Sequence, residues 1–229
     1  MCYSVESSLR TTLLSLAAIV YLLSSQIPHY QWLALTLSGW CLMQFAEMLL
    51  WLTEPQSGCS PYNKLITLTL IPLALALQPL GSVFGSLYVI PWAKSSDFRK
   101  TFIVGFSALI VLIVAFSHYY KPHSLCAIVT PGRHLYWHTA DYKYADSVVS
   151  KALYFGWAFL IILPLFLFWD KSFALIAALI FLPLIGFWDG LLRTDARGSI
   201  WCYYTSYSSV IMAGFLLLKQ AGIYNLLVK

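Results

Sequence analysis

The sequence predicts an all-α fold, a polytopic integral membrane bundle of seven transmembrane helices, and three observations lead to this prediction. First, 60% of the 229 residues are hydrophobic and only 10% are charged, whereas soluble domains carry about a quarter charged residues. Second, the mean hydropathy is +0.74, which indicates that the chain has too few polar groups to cover the surface of a water-soluble globule. Third, seven stretches approach the length of about 20 mostly apolar residues that a spanning helix needs.

The seven predicted spans follow one another along the chain and make one transmembrane domain of residues 1–229. They cover approximately residues 5–25, 31–53, 62–90, 100–118, 148–169, 172–188 and 199–219, and residues 119–147 form an extramembrane loop. Each span is too long and too evenly apolar for a barrel strand, in which polar and apolar residues alternate over about 10 positions. Helices are predicted throughout, because a helix satisfies its backbone hydrogen bonds internally in lipid.

Three of these segments have features of their own. The first span is apolar from Leu13 to Leu23 and lacks a basic leader and a small-residue cleavage site, so we expect a retained span rather than a signal peptide. The third is interrupted by Gln78-Pro79; the proline should kink the helix, and we expect Gln78 to cap the freed carbonyl. In the loop, His134 and His138 are one helical turn apart, but no zinc-enzyme pattern accompanies them, so no metal site is predicted.

The charge distribution excludes several classes of protein. The chain has 14 basic and 9 acidic residues, for a net charge of +5, and the basic residues occur singly or in pairs rather than as one face. We therefore expect neither a nucleic-acid binder nor an ordinary cytosolic enzyme. The expected partners are the lipid bilayer and a small ion or small-molecule ligand, and no cofactor is expected.

Seven spans place the two termini on opposite sides of the membrane. The Lys and Arg residues divide almost evenly between the sides, and their slight excess on the N-terminal side weakly favours a cytoplasmic N-terminus. Against this, Cys2, Cys59, Cys126 and Cys202 all fall on the N-terminal side, whereas Cys41 lies in mid-membrane. Such one-sidedness suits disulfides in an oxidising compartment, so we predict an extracytoplasmic N-terminus and a cytoplasmic C-terminus. The four cysteines allow three disulfide pairings, and the sequence does not choose among them. The alternative to disulfides is that the cysteines serve only as small apolar residues of the helices.

Glu47 is the one ionisable residue that lies unambiguously inside a predicted span, about 9 Å below its end at 1.5 Å per residue. With Trp40, Gln44 and Trp51 it forms a row at helical spacing, which we call the Glu47 stripe. A carboxyl, an amide and two indoles make a poor surface for lipid, so the stripe should face the bundle interior. Glu47 is then either a proton-exchanging or cation-binding carboxylate in a pocket open to the N-terminal side, or a protonated carboxyl that joins two helices.

The seventh predicted span begins with small polar residues, of which Cys202, Ser206 and Ser209 share one face. Such residues usually let helices pack closely and hydrogen-bond to each other. The alternative is a pocket wall facing Glu47, because Cys202 and Glu47 fall at similar depth. The candidate ligand site is then lined by Gln44, Glu47, Trp51, Asn63, Trp201, Cys202 and Ser206.

Five ordered motifs indicate a family. They are Met1-Cys2-Tyr3-Ser4, the QxxExxxW segment Gln44–Trp51, Gln78-Pro79, His134-Leu135-Tyr136-Trp137 and Gly198-Ser199-Ile200-Trp201-Cys202. Over nearly its whole length the chain resembles a family of small seven-span membrane proteins of bacteria and giant DNA viruses, although Tyr3 stands where tryptophan or phenylalanine is usual. The resemblance implies the topology and marks Cys2, Glu47 and Cys202 together, and it implies no reaction.

The residues support more than one class of function. The first hypothesis is a channel, transporter or binding protein with a small-molecule or ion site around Glu47, below the N-terminal-side face. The second is a membrane-embedded enzyme that modifies a lipid with Glu47 as acid or base, although the sequence shows no nucleophile–base pair. The third is a structural subunit of a membrane assembly or virion. Whether the protein is an enzyme therefore stays open at this point.

Overall fold

The computed structural model describes residues 4–119, 126–136, 148–168, 173–192 and 197–223. These residues contain seven α-helices, which confirms the all-α prediction. The helices are α1 (Val5–Ser24), α2 (Pro28–Leu52), α3 (Pro61–Gly85), α4 (Asp97–Tyr119), α5 (Val148–Phe168), α6 (Phe173–Leu192) and α7 (Arg197–Gln220). Between α4 and α5, the antiparallel strands β1 (Ile128–Val129) and β2 (Leu135–Tyr136) form a hairpin. Short 3-10 turns occupy Pro55–Ser57, Ser86–Tyr88 and Trp92–Lys94.

The helices are those of a membrane protein in length and composition. Four stretches are long and apolar enough to cross a bilayer, namely Val5–Ser24, Pro28–Leu52, Pro61–Tyr88 and Asp97–Phe116. Within the described residues, α5 and α6 contribute the shorter apolar stretches Tyr154–Phe168 and Leu179–Gly190. Each predicted span thus contains a helix, and the count of seven crossings stays a prediction.

The starts of the first three helices follow ordinary local rules. The Ser4 side chain accepts a hydrogen bond from the backbone N–H of Ser7, and Ser60 accepts one from Asn63 in the same way. A serine at this position satisfies one of the backbone donors left over at the beginning of a helix. α2 and α3 also begin with Pro28 and Pro61, and a proline in the first turn removes no intrahelical hydrogen bond.

Helix α1 is polar inside and apolar outside. Its first two buried turns are made of hydroxyl residues, Ser8, Thr11, Thr12 and Ser15. Its exposed face carries large apolar side chains, Leu9, Leu13, Leu14, Leu16 and Val20. A water-soluble helix has the reverse arrangement, whereas helices packed within lipid use small polar residues at their contacts. This arrangement supports the membrane assignment independently of overall composition.

Helix α2 lies at the centre and packs against α1, α3 and α7. It is closest to α3, because glycines let the two backbones approach each other. A Cβ atom added at Gly81 would lie 2.5 Å from the carbonyl oxygen of Leu35, and one at Gly85 would lie 2.6 Å from the Trp32 ring. The Trp32 indole N–H also donates to the backbone carbonyl of Ser82, at 2.7 Å. The α2–α3 pair is therefore the rigid centre against which the other helices are placed.

The expected cap at Gln78 is wrong, because its side chain makes other bonds. Helix α3 continues through Pro79 to Gly85. The Gln78 amide donates to the Cys202 sulfur at 3.7 Å and accepts from the Trp157 indole N–H at 3.3 Å. It therefore joins α3 to α7 and α5, because a buried amide with two neighbouring helices in reach finds its partners across the interface.

Candidate functional site

Three helices bury polar side chains toward one another in the N-terminal-side half of the bundle. We define the polar core by its buried residues: Ser8, Thr11, Thr12 and Ser15 of α1, Gln44 and Glu47 of α2, and Ser199, Cys202, Thr205, Ser206 and Ser209 of α7. Each of the three helices packs against the other two. The core is therefore shared by all three helices and is not confined to a single interface.

Glu47 is the acidic group of this core. Its side chain has no exposed surface, and the Gln44 amide N–H donates to one of its carboxyl oxygens at 3.3 Å. Gln44 lies one turn earlier on α2 and is also fully buried. Burial without water penalises an ionised carboxyl strongly, so the surroundings of Glu47 decide which charge state the bundle accepts.

The Glu47 stripe faces α7. On α2, Gly39 points toward α3, and Cys41 points toward α1, where its thiol donates to the backbone carbonyl of Thr12 at 3.8 Å. At 3.6 residues per turn, the Glu47 stripe occupies the sector between these two directions, and α7 is the third helix that packs against α2. The sequence prediction that this stripe faces the bundle interior agrees with its burial, because Trp40, Gln44 and Glu47 have no exposed surface and Trp51 is 9% exposed.

Two hydrogen bonds fix the relative heights of the three helices. The Ser15 hydroxyl donates to the backbone carbonyl of Ser206 at 2.8 Å, which sets α1 against α7. The contact between Cys41 and the carbonyl of Thr12 sets α1 against α2. We use the positions of these two hydrogen bonds along the helix axes as references for the depth of the other side chains.

Counted from those levels, three polar side chains share one depth. Ser8 precedes Ser15, and Ser199 precedes Ser206, by about two helical turns each, or about 10 Å. Glu47 follows Cys41 by about 9 Å, and Ser8 precedes Thr12, the partner of Cys41, by about 6 Å. Because α2 runs in the opposite direction to α1 and α7, Glu47 and Ser8 differ in depth by only about 3 Å, less than one helical turn. Ser8, Ser199 and Glu47 therefore lie on three different helices at about the same depth below the N-terminal-side face.

Several buried donors on these three helices have no hydrogen-bond partner in the part of the chain that the structure describes. They are the hydroxyls of Ser8 and Ser199 and the indole N–H of Trp40. All three side chains are at most 1% exposed. Buried polar groups in folded proteins are nearly always bonded to protein, water or ligand, and leaving one unbonded costs about 1–3 kcal/mol. These groups therefore mark where water or a small ligand would complete the core.

The other hydroxyls of the core present oxygen lone pairs rather than protons. Thr205 and Ser206 donate to the backbone carbonyl of Cys202, at 3.1 and 2.8 Å, and Ser209 donates to that of Ser206 at 2.7 Å. Thr12 does the same within α1 at 2.8 Å. Because each proton is used inside its own helix, the oxygens remain as acceptors facing the core. One carboxyl among hydroxyl oxygens is a donor set for a proton or a small monovalent cation.

The predicted α7 residues are divided between two interfaces. Ser206 belongs to the polar core, and Cys202 contacts Gln78 of α3. Trp201 instead contacts the rings of Tyr154 and Phe187, with centroid distances of 6.4 and 6.3 Å, so it faces α5 and α6. Gln78 was not among the predicted site residues, although a glutamine inside an apolar span was a signal that could have placed it there.

Asn63 holds the loop between α4 and α5. Its amide N–H donates to the backbone carbonyl of Ala127 at 3.0 Å, and its oxygen accepts from the Ala127 N–H at 2.8 Å. The Thr67 hydroxyl donates to the Asn63 oxygen at 3.1 Å and accepts from the same Ala127 N–H, also at 3.1 Å. We call this group of bonds the Asn63 clamp. Both ends of the Asn63 amide are thus engaged with the loop.

Next to the clamp, a disulfide joins Cys59 to Cys126, and the Cα atoms are 5.6 Å apart. This confirms that at least one bond forms among the four candidate cysteines, and it identifies the pair that the sequence left open. Cys202 is buried in the α3–α7 contact described above. Cys2 lies outside the described residues.

The β1–β2 hairpin continues from the disulfide across the end of the bundle. β1 contacts the turn Pro55–Ser57 that follows α2, and β2 contacts α7. Within the hairpin, the Thr130 N–H donates to the carbonyl of His134 at 2.8 Å. His134 and Leu135 are 2% and 1% exposed, so the hairpin turns these side chains toward the protein interior.

Among the described residues, no group of three or more His, Cys, Asp or Glu side chains is arranged to hold a metal ion. His138, the second histidine of the predicted loop pair, lies outside them. No protein-family model, curated protein or solved structure matches the chain. The family resemblance therefore remains a prediction that rests on the five sequence motifs.

Proposed function

We propose that this multi-pass membrane protein binds and exchanges a proton or a small monovalent cation at Glu47, as a transporter or channel. The observation that carries the proposal is the fully buried carboxyl of Glu47, placed at the same depth as unpartnered hydroxyls on two neighbouring helices. An ionisable residue inside a span is costly, and such residues in membrane proteins commonly mark ion or proton pathways.

The donor set favours a small, singly charged species. Divalent ions such as Ca²⁺ take six to eight oxygen ligands, with several carboxylates among them, whereas Glu47 is the only carboxyl in the polar core. Its surroundings leave no exposed surface, which favours a proton or a bare ion over a larger organic ligand. Among the sequence-predicted residues, Gln44, Glu47, Cys202 and Ser206 belong to the polar core.

The polar residues of α7 extend the site into a route. From Ser199 to Ser209, the core face of α7 remains polar for about 15 Å at 1.5 Å per residue, or roughly half of the hydrocarbon thickness of about 30 Å. A line of hydroxyl oxygens over that distance supports passage of a proton or small cation, rather than binding at one point only.

The orientation is part of the proposal. We place the N-terminal side outside the cytoplasm, and the disulfide between Cys59 and Cys126 on that side supports this, because disulfides persist in oxidising compartments. Impermeant thiol reagents applied to oriented vesicles after reduction test it. We expect Cys59 to react only from the extracytoplasmic side, and reaction only from the cytoplasmic side would reverse the topology.

The function is tested by flux into liposomes that contain the purified protein and a pH-sensitive or cation-sensitive dye. Glu47→Gln keeps the size and hydrogen bonding of the side chain and removes its charge, so it should fold normally and abolish flux. Glu6→Gln, at an exposed residue on α1, is the matched control and should conduct like the unmodified protein. Equal flux through both variants would leave Glu47 a structural link between helices, as in the alternative of a structural subunit.

A further inference from the structure

We propose that the β1–β2 hairpin is a redox-controlled gate over the Glu47 site, held closed by the Cys59–Cys126 disulfide and released when a dithiol reduces it. The purpose of the gate rests on the proposed function, but its position and its closure do not.

The hairpin lies over the ends of the two helices that carry the site. β1 contacts the turn Pro55–Ser57, which directly follows α2, and β2 contacts α7. Glu47 is in the last two turns of α2, and Ser199 is in the first turn of α7. The hairpin side chains Ala127 and Leu135 are each 1% exposed and belong to the same buried cluster as Trp51. A solute approaching from the N-terminal side therefore meets the hairpin before it meets the polar core.

Two kinds of bond fasten the hairpin at its beginning. The Asn63 clamp holds the backbone of Ala127 on both its N–H and its carbonyl, and the adjacent Cys126 is bonded covalently to Cys59. The hydrogen bonds of the clamp can open and reform, because each contributes only about 0.5–1.5 kcal/mol net of the water contacts it replaces. The covalent bond between Cys59 and Cys126 does not open without a reductant, so it determines whether the hairpin can leave its place.

The disulfide is accessible to a reductant. Cys59 is exposed, whereas Cys126 is 6% exposed. A thiolate of a dithiol attacks the Cys59 sulfur, the S–S bond breaks, and Cys126 leaves as a thiolate that takes up a proton. The second thiol of the reductant then displaces Cys59, which also takes up a proton. The protein gains two electrons and two S–H groups, and the dithiol becomes an intramolecular disulfide.

The gate is tested with Cys202 as a reporter. Cys202 is 1% exposed and lies one turn deeper than Ser199 on the core face of α7, so a reagent entering under the hairpin reaches it. In a Cys2→Ser, Cys41→Ser background, the rate of N-ethylmaleimide addition to Cys202 is followed by intact mass. A second protein carries Cys59→Ser and Cys126→Ser in addition, which removes the tether without any reductant in the assay.

We expect Cys202 to react at least tenfold faster without the tether, and amide hydrogen exchange in residues 126–136 to accelerate while exchange in the α2–α3 pair stays unchanged. Unchanged Cys202 reactivity would overturn the gate, whether or not exchange in the hairpin changes. If the untethered variant does not fold, amide hydrogen exchange is measured instead on the unmodified protein before and after treatment with dithiothreitol. Unchanged exchange in residues 126–136 would then overturn the proposal. Faster Cys202 labelling with flux insensitive to Glu47→Gln would reject the proposed function and keep the gate.

Discussion

At Gly39 the backbones of α2 and α3 lie so close that a single methyl group does not fit between them. A Cβ atom added there would be 2.6 Å from the carbonyl carbon of Leu77 and nearer still to its oxygen, whereas ordinary contacts begin at 3.4 Å. The obstacle is backbone and not a flexible side chain, so Gly39→Ala must push the two helices apart by more than about 1 Å. That movement would also stretch the hydrogen bond from Trp32 to the carbonyl of Ser82.

The expected cost follows from opposing effects. Alanine favours a helix over glycine by about 0.8–1 kcal/mol, whereas forcing extra volume into a packed interface costs about 1–3 kcal/mol. Weakening the Trp32 hydrogen bond adds about 0.5–1.5 kcal/mol. Gly39→Ala should therefore lower the free energy of unfolding by about 0.5–3.7 kcal/mol net of the helix gain, which corresponds to a fall in Tm of roughly 1–15 °C for a chain of this size.

The assay is thermal unfolding of the purified protein in detergent, with Gly105→Ala as the matched control. Gly105 is inside α4, and an added Cβ there meets nothing within 4 Å, so that variant should keep or slightly raise the Tm. A Gly39→Ala protein as stable as Gly105→Ala would refute the close α2–α3 contact and the helix register derived from it.

Three further substitutions test other parts of the fold. Asn63→Ala should accelerate amide exchange at the root of the β1–β2 hairpin and destabilise that region by about 1–3 kcal/mol, because the clamped backbone loses its partners; exchange equal to the unmodified protein would contradict the clamp. The Arg99 guanidinium donates to the backbone carbonyl and the hydroxyl of Ser86, each at 2.8 Å, and stacks 4.4 Å from the centre of the Phe168 ring. Arg99→Lys should lower Tm, because a lysine cannot keep both the hydrogen bonds and the stacking. An unchanged Tm would mean that these contacts contribute nothing. Ser15→Ala should cost about 0.6–1.7 kcal/mol, as hydrogen bonds between membrane helices do, whereas Ser24→Ala, at an exposed site, should be neutral. Equal effects would count against the α1–α7 register.

The sequence predicts the helices well because their signal is local. A run of about 20 apolar residues has no other way to satisfy its backbone in lipid, and the observed helix bounds differ from the predicted spans by only a few residues. The burial of the Glu47 stripe follows from the same reasoning, since four polar and aromatic residues at helical spacing have an obvious inward direction.

The partners of each side chain depend on tertiary packing, and this is where prediction fails. Gln78 bonds to α5 and α7 rather than to its own backbone, and Trp201 faces α5 and α6 although it adjoins Cys202. A period of 3.6 residues shows that a side chain is on a given face, but not which helix meets that face. The small residues Gly39, Gly81 and Gly85 decide that question here, because only they permit the close α2–α3 approach.

The disulfide shows the same difference between what a sequence pattern predicts and what depends on tertiary packing. The one-sided distribution of the cysteines indicates that a bond forms, but three pairings are equivalent until the loop is placed. The Asn63 clamp places it, by fixing Ala127 and therefore its neighbour Cys126 beside the start of α3, where Cys59 lies.

The central claim is that the buried carboxyl of Glu47 exchanges a proton or a small cation, and infrared difference spectroscopy on the reconstituted protein tests it most directly. The spectrum is recorded while the surrounding buffer is switched between high and low proton or sodium concentration, so that only groups that change state contribute. We expect a change in the protonated-carboxyl band that is present in the unmodified protein and in Glu6→Gln, and absent in Glu47→Gln. A difference band that survives in Glu47→Gln, or no carboxyl band in any of the three proteins, would contradict it.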